Sequence, residues 1–188
     1  MKKIIIALFS LTLLQGCAVV VIAGIGAGAA SLNDPRPFDV QVDDQTIEVQ
    51  GLRDISENEA VAKATNVQVI SLNSTVLLVG QAETAADKDK VHKIIAAIPR
   101  VKKIHNQIRI AKLSTAGTKT TDSWLTTKVK SSLLTDERLD GSIIKVISED
   151  SEVFLMGLVS NKDANIAVEI ARHIDGVARV YKAFEIKK

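Results

Sequence analysis

Val76-Leu77-Leu78-Val79-Gly80 returns later in the chain as Val153-Phe154-Leu155-Met156-Gly157, and this repetition decides the architecture. Ahead of each run lies a second strand-like segment, Val67-Gln68-Val69-Ile70-Ser71 or Ile144-Lys145-Val146-Ile147-Ser148. Behind each run, Thr84-Ala85-Ala86-Asp87 or Ser160-Asn161-Lys162-Asp163 carries the capping-box pattern that starts a helix. Val91, Ile94, Ile95 and Ile98, like Ala167, Ile170, Ala171 and Ile174, then fall at i, i+3, i+4 and i+7, which is one apolar helix face. A turn follows at Pro99-Arg100 or Asp175-Gly176, and then an apolar-rich strand over residues 101–110 or 177–186.

A shorter helix precedes each hairpin. In the second copy its core stripe is Leu125, Val129 and Leu133, with Asp122 or Ser123 as N-cap. The first copy has Ile47, Gly51 and Ile55 there, and a mid-helix glycine costs about 1 kcal/mol relative to alanine. Each unit therefore reads α-β-β-α-β. The fold class is α+β, two tandem modules, each a small mixed sheet with helices on one face. The strand reached through the second helix should run parallel to its partner. The modules span residues 44–112 and 121–188, joined by a Ser/Thr/Lys-rich linker at 113–120.

The amino terminus belongs to a different kind of sequence. Met1-Lys2-Lys3 is a basic start and residues 4–14 are apolar, as in a secretory leader. The leader ends in Leu14-Gln15-Gly16-Cys17, and Cys17 is the only cysteine. That segment resembles a bacterial lipobox. The resemblance implies a signal peptide over residues 1–16, lipidation of Cys17 with palmitate-type acyl chains, and a tether over residues 17–43. Ala18 stands where aspartate would imply inner-membrane retention, so the implied location is the outer membrane, periplasmic face. A membrane-spanning helix over residues 4–30 is the alternative. Within the tether, Gly24-Ile25-Gly26-Ala27-Gly28-Ala29 fits a dinucleotide fingerprint, but prolines follow where a helix is needed, so no cofactor is expected.

Composition narrows the function. Removing Lys2 and Lys3 from 24 basic side chains leaves parity with the 22 acidic ones, so no basic field remains to bind nucleic acid. His92, His105 and His173 are scattered without HExxH spacing, and no nucleophile elbow or Walker loop occurs in the modules. No catalytic residue and no metal site is expected. Gly80 and Gly157 close equivalent strands, where a glycine signals a bulge or close backbone approach; both are read as structural.

Trp124 lies one residue, about 100°, off the core stripe of its helix, beside Thr127, Lys128 and Ser131. Leu134 falls at the edge of the same surface, and the first copy has Thr46 in the tryptophan position. An exposed indole among lysines suits the headgroup level of a bilayer, which nominates Trp124, Lys128, Lys130 and Leu134 for lipid contact. Packing of Trp124 against the first module is the structural alternative, and docking of an envelope protein is the functional one.

Taken together, two α-β-β-α-β units with glycine-closed second strands and capped helices resemble the BON domain. The segment Ser123-Trp124-Leu125-Thr126-Thr127-Lys128-Val129-Lys130 carries the likeness most closely. Behind a lipobox, a tandem pair is similar to the outer-membrane lipoproteins of that family. The resemblance implies binding of anionic, phosphatidylglycerol-like phospholipid through the second module, and a part in outer-membrane integrity, with division-site localisation as a further implication.

Overall fold

The computed structural model describes residues 36–187. The leader, Cys17 and the glycine-rich tract at 24–29 lie outside the described residues. Each glycine-closed apolar run forms the middle strand of a three-stranded sheet. In the first module, α1 (Phe38–Glu57) and α2 (Glu59–Ala64) precede β1 (Thr65–Leu72), β2 (Thr75–Ala82), α3 (Ala85–Ala96) and β3 (Lys103–Ile110). In the second, α4 (Ala116–Thr135) precedes β4 (Lys145–Glu149), β5 (Glu152–Val159), α5 (Asn161–Arg172) and β6 (Arg179–Ile186). The hairpin strands pair antiparallel, and the strand after the second helix joins the middle strand in parallel. Thr84 and Ser160 cap α3 and α5 through the amides of Asp87 and Asp163, each at 3.1 Å.

Side chains alternate across a strand, and here both faces are used. Val76 and Leu78 face Ile47, Val91 and Ile95 of their own helices. Val153 and Leu155 do the same toward Leu125, Val129 and Ala167. The residues between them, Leu77, Val79, Phe154 and Met156, point the other way and meet in a third cluster with Ile70, Leu72 and Ala183. The two sheets thus pack on each other with the helices outside, four layers in all. This explains why the middle strands are continuously apolar rather than alternating. Polar contacts ring the junction: Gln81 donates to Glu149 at 2.6 Å, Lys145 to Glu48 at 3.0 Å, and Asn73 to Glu185 at 2.7 Å.

Several sequence expectations shift at the helix starts. α1 begins at Phe38, inside the stretch read as tether, and α4 begins at Ala116, inside the stretch read as linker. Its N-cap is therefore Thr115, which accepts from Thr118, not Asp122 or Ser123. Residues 116–120 form its first turn because that hydroxyl satisfies an orphan amide. Gly51 does not interrupt α1. A β-carbon there would stand 2.7 Å from Ile95 Cδ1 and 3.2 Å from Val69 Cγ1, so glycine lets the helix sit down on the sheet. At Gly80 the φ of +127° and a distance of 2.0 Å from a β-carbon to the Asn66 carbonyl oxygen make any side chain untenable. A β-carbon on Gly157 would stand 3.0 Å from the Ile143 oxygen, and the backbone there keeps an ordinary strand conformation.

Phe154 is 2 % exposed and stacks on Tyr181, with ring centroids 4.8 Å apart. Because it belongs to the shared cluster, Phe154→Ala should cost about 3–5 kcal/mol. Urea unfolding followed by circular dichroism and by Trp124 emission should show one coincident transition at a lower midpoint. Two separated transitions would mean that the modules unfold independently.

Candidate functional site

The outer face of α4 is the candidate, and its orientation follows from a buried aspartate. Asp122 sits in the second turn of α4 and is 5 % exposed. Its carboxylate accepts from the amides of Asp150 at 2.8 Å and Ser151 at 3.0 Å. Both residues of that hairpin turn have positive φ, as type I′ geometry demands. Asp44 does the same in the first module, accepting from Asn73 at 2.7 Å and Ser74 at 2.9 Å. Each module therefore pins its first helix to its hairpin by a carboxylate. The repetition of aspartate three residues before the core stripe (Asp44 before Ile47, Asp122 before Leu125) is the signal that a sequence reading could have used.

Asp122 also lies near Glu149 and Asp150, with one oxygen of each within 4.8 Å of the others. Each carboxylate is already engaged. Glu149 accepts from Gln68 and Gln81, and Asp150 is paired with the Arg109 guanidinium. A cation there would have to displace these donors, so the group reads as part of the module junction.

With its core stripe turned inward, α4 presents Trp124 at 58 % and Leu134 at 55 % exposure. They lie about 15 Å apart along the helix axis. The surface around them is hydroxylated, and three of its hydroxyls are bonded within the helix. Ser123 donates to the Lys119 carbonyl at 2.9 Å, Thr127 to Ser123 at 3.0 Å, and Thr135 to Ser131 at 3.1 Å. These i−4 bonds satisfy those three hydroxyl donors within the helix, so they can leave bulk water without being stranded.

The two lysines nominated with Trp124 behave differently. Lys128 places its ammonium 4.9 Å from the centre of the Trp124 ring. It also lies 3.9 Å from the carboxylate of Asp175, which is fully exposed, and such a surface pair holds it only loosely. Lys130 is turned inward, which corrects its assignment to the lipid-facing set. Its ammonium donates to the carbonyls of Gly141 at 2.9 Å, Ser142 at 3.2 Å and Ile144 at 2.6 Å. Burial pushes this ammonium below the usual lysine range, with Asp140 pulling it back up. All three of its donors serve the turn before β4. That turn can approach α4 because Gly141 stands where a β-carbon would be 2.2 Å from the Leu133 oxygen.

The histidines do not converge. Burial, helped by Lys103, holds the His105 imidazole below its ordinary range, and His173 contacts the Glu169 carbonyl at 2.8 Å on the exposed end of α5. Among the described residues no helix is long and apolar enough to cross a membrane.

These features agree with what the chain resembles. The BON domain family matches residues 38–112 and 121–188. The chain is 35 % identical over 185 residues to the outer membrane lipoprotein DolP of Haemophilus influenzae, covering 98 % of this chain and 96 % of that protein. It is 36 % identical over 149 residues to a 21 kDa hemolysin of Actinobacillus pleuropneumoniae, covering 79 % and 77 %. A solved structure, the C-terminal domain of the type III secretion protein CdsD of Chlamydia trachomatis, aligns with 73 % of this chain and 97 % of its own at 13 % identity and a TM-score of 0.32. That last likeness is too distant to build on. The chain belongs to the BON-domain family. Within it, the tandem arrangement makes this a DolP-like dual-BON protein.

Lys130→Met should destabilise the second module by roughly 1–3 kcal/mol, since it removes the ammonium from three carbonyls, of which that of Gly141 keeps a further donor, the Ile144 amide. Thermal melts should show the loss. Titration with phosphatidylglycerol vesicles at a temperature where the variant is folded should give the wild-type midpoint. Weakened vesicle binding by the folded variant would return Lys130 to the lipid-facing set.

Proposed function

We propose that this protein is an outer-membrane lipoprotein, anchored through Cys17 on the periplasmic side, that contacts anionic phospholipid through the outer face of α4 and supports the integrity of that membrane. The observation that carries the reading is the exposed Trp124 with Lys128 over its ring, on a helix face where the Ser123 and Thr127 hydroxyls are bonded within the helix. An indole of this kind sits well at the headgroup level, where its ring meets acyl chain and its N–H meets water. Leu134 extends the apolar part of the contact toward the C-terminal end of α4. Lys128 supplies the cation for lipid phosphate. The name borne by the Haemophilus relative, an outer membrane lipoprotein, supports the compartment.

The magnitudes fit a tethered rather than a free binder. Partial burial of one indole and one leucine contributes a few kcal/mol at about 25 cal/mol per Å². A lysine near an anionic leaflet adds about 1 kcal/mol. That sum is weak for a protein diffusing freely, but a lipid anchor raises the local concentration of bilayer and makes the contact persistent. The role that follows is orientation: the anchor holds the protein at the leaflet, and α4 decides which face lies down.

Trp124 is the only tryptophan, so its fluorescence reports the contact directly. Residues 34–188 mixed with phosphatidylglycerol vesicles should show a blue shift and co-sediment. Trp124→Glu should abolish co-sedimentation without changing the melting temperature by more than a few degrees. An emission maximum unmoved by lipid, with unchanged co-sedimentation of the Trp124→Glu variant, would overturn this reading in favour of a protein partner.

A further inference from the structure

Half of the large exposed apolar side chains among the described residues lie on one helix of the other module. Phe38, Val42, Val49 and Leu52 of α1 are 73, 46, 50 and 48 % exposed, on the side opposite the buried Ile47, Gly51 and Ile55. Together with Gln45 they recur at alternating spacings of four and three residues. That is the strict a/d repeat of a coiled-coil seam, narrower than the stripe a helix uses against its own core. Val42 and Val49 take a positions and Leu52 a d position. The seam runs about 21 Å from Phe38 to Leu52.

Charge distinguishes this face from α4. Besides the buried Asp44, α1 carries Asp39, Asp43, Glu48, Asp54 and Glu57 against the single basic residue Arg53, with Arg100 and Lys145 of other elements pairing Asp43 and Glu48. An anionic leaflet would repel the acids on this helix. We propose that the α1 seam pairs with the α1 seam of a second copy of this chain, antiparallel about a two-fold axis. An alignment that sets Val42 across from Leu52, and Gln45 across from Val49, is closed under that symmetry. Each contact then occurs twice.

The flanking charges fit this alignment. Asp39 and Arg53 occupy e positions, and antiparallel pairing brings Asp39 of each copy beside Arg53 of the other. Arg53 is 61 % exposed and shares its guanidinium only with Asp54 at 3.3 Å and Glu57 at 3.6 Å on its own helix, surface pairs that yield readily. On the other flank, Glu48 would approach its own symmetry mate. Its carboxylate is already committed to the Ser71 amide at 2.8 Å and the Lys145 ammonium at 3.0 Å, which offsets the like charge. Four apolar side chains per copy are few for a stable interface, so pairing is reversible in solution and strengthened on a membrane by shared anchorage. Only that strengthening rests on the lipid anchor proposed above.

Sedimentation of the full mature chain from residue 17, carrying Cys17→Ser, should show a concentration-dependent monomer–dimer equilibrium. Val49→Asp, at a half-exposed position, should weaken dimerisation at least tenfold with an unchanged melting temperature. Asp39→Arg alone and Arg53→Asp alone should each weaken it several-fold, and the double exchange should restore it. On vesicles, the acylated chain bearing Val42→Cys and Leu52→Cys should form disulfide-linked dimers. A chain that stays monomeric at all concentrations and forms no such crosslink on vesicles overturns the proposal. So does a charge exchange that is not rescued. Binding of anionic vesicles that is lost in Val49→Asp while Trp124→Glu leaves it intact would assign the seam to the bilayer instead, overturning this inference and the α4 reading by separate variants.

Discussion

The face-to-face burial of Leu77 and Val79 against Phe154 and Met156 is the constraint from which the rest of the molecule follows. A three-stranded sheet with helices on one side leaves its other side open, and a single module of this size would expose a broad apolar surface. Pairing two modules covers both open sides at once. The helices are thereby driven to the outer layers, where one side of each helix is committed to its own core. The opposite side is free to vary. Both the indole face of α4 and the heptad seam of α1 exist because the sheets take the inside.

Placement of the helices within the outer layers depends on a second device, the carboxylate that reaches from the first helix of each module to the hairpin turn. Asp44 and Asp122 each satisfy two amides of a turn whose residues occupy left-handed φ. Such a turn matches the twist of the strands but exposes donors that need partners. A buried carboxylate is costly when unpaired and rigid when fully bonded. Helix and hairpin thus form one body, and the rotation of α4 about its axis is fixed by the position of Asp122 as much as by Leu125 and Val129. Trp124 faces outward as a geometric consequence.

The α-β-β-α-β order, the parallel third strand and the caps of α3 and α5 were legible from the repeat because each depends on local pattern: apolar runs, capping boxes, turn residues. The inter-sheet core was not, since a continuous apolar run says that both faces are covered without saying by what. Gly51 looked like a weakness of α1 because helix propensity is local. Its purpose is tertiary, the approach of Ile95 and Val69. The same division runs through the candidate site. Trp124 and Leu134 were readable as outward because their phase relative to Leu125, Val129 and Leu133 sets their direction. Lys130 was misread for a physical reason: its stem can snorkel either way, and what draws it inward is a turn from another segment, brought close by Gly141.

Comparison of α1 with α4 separates what the module requires from what each copy has acquired. The inward positions remain apolar or small in both: Ile47, Gly51 and Ile55 in one, Leu125, Val129 and Leu133 in the other. The outward positions share nothing. α1 is acidic with heptad-spaced valine, leucine and phenylalanine, whereas α4 has one acid, Asp122, which is buried, and sets an indole beneath a lysine. If the outer faces served only to solvate their helices, each would be a mixture of charged and polar residues with few large apolar groups. Instead each keeps half-exposed apolar side chains, in arrangements that favour opposite surroundings. An acid-flanked seam is ill suited to an anionic leaflet and suited to a partner that brings its own cations, such as Arg53 of a second copy. A neutral-to-cationic face with an exposed indole is ill suited to that seam and suited to lipid. One duplicated fold thus carries two outer helices of different chemistry, and the shared inner core allows them to differ without cost to the fold.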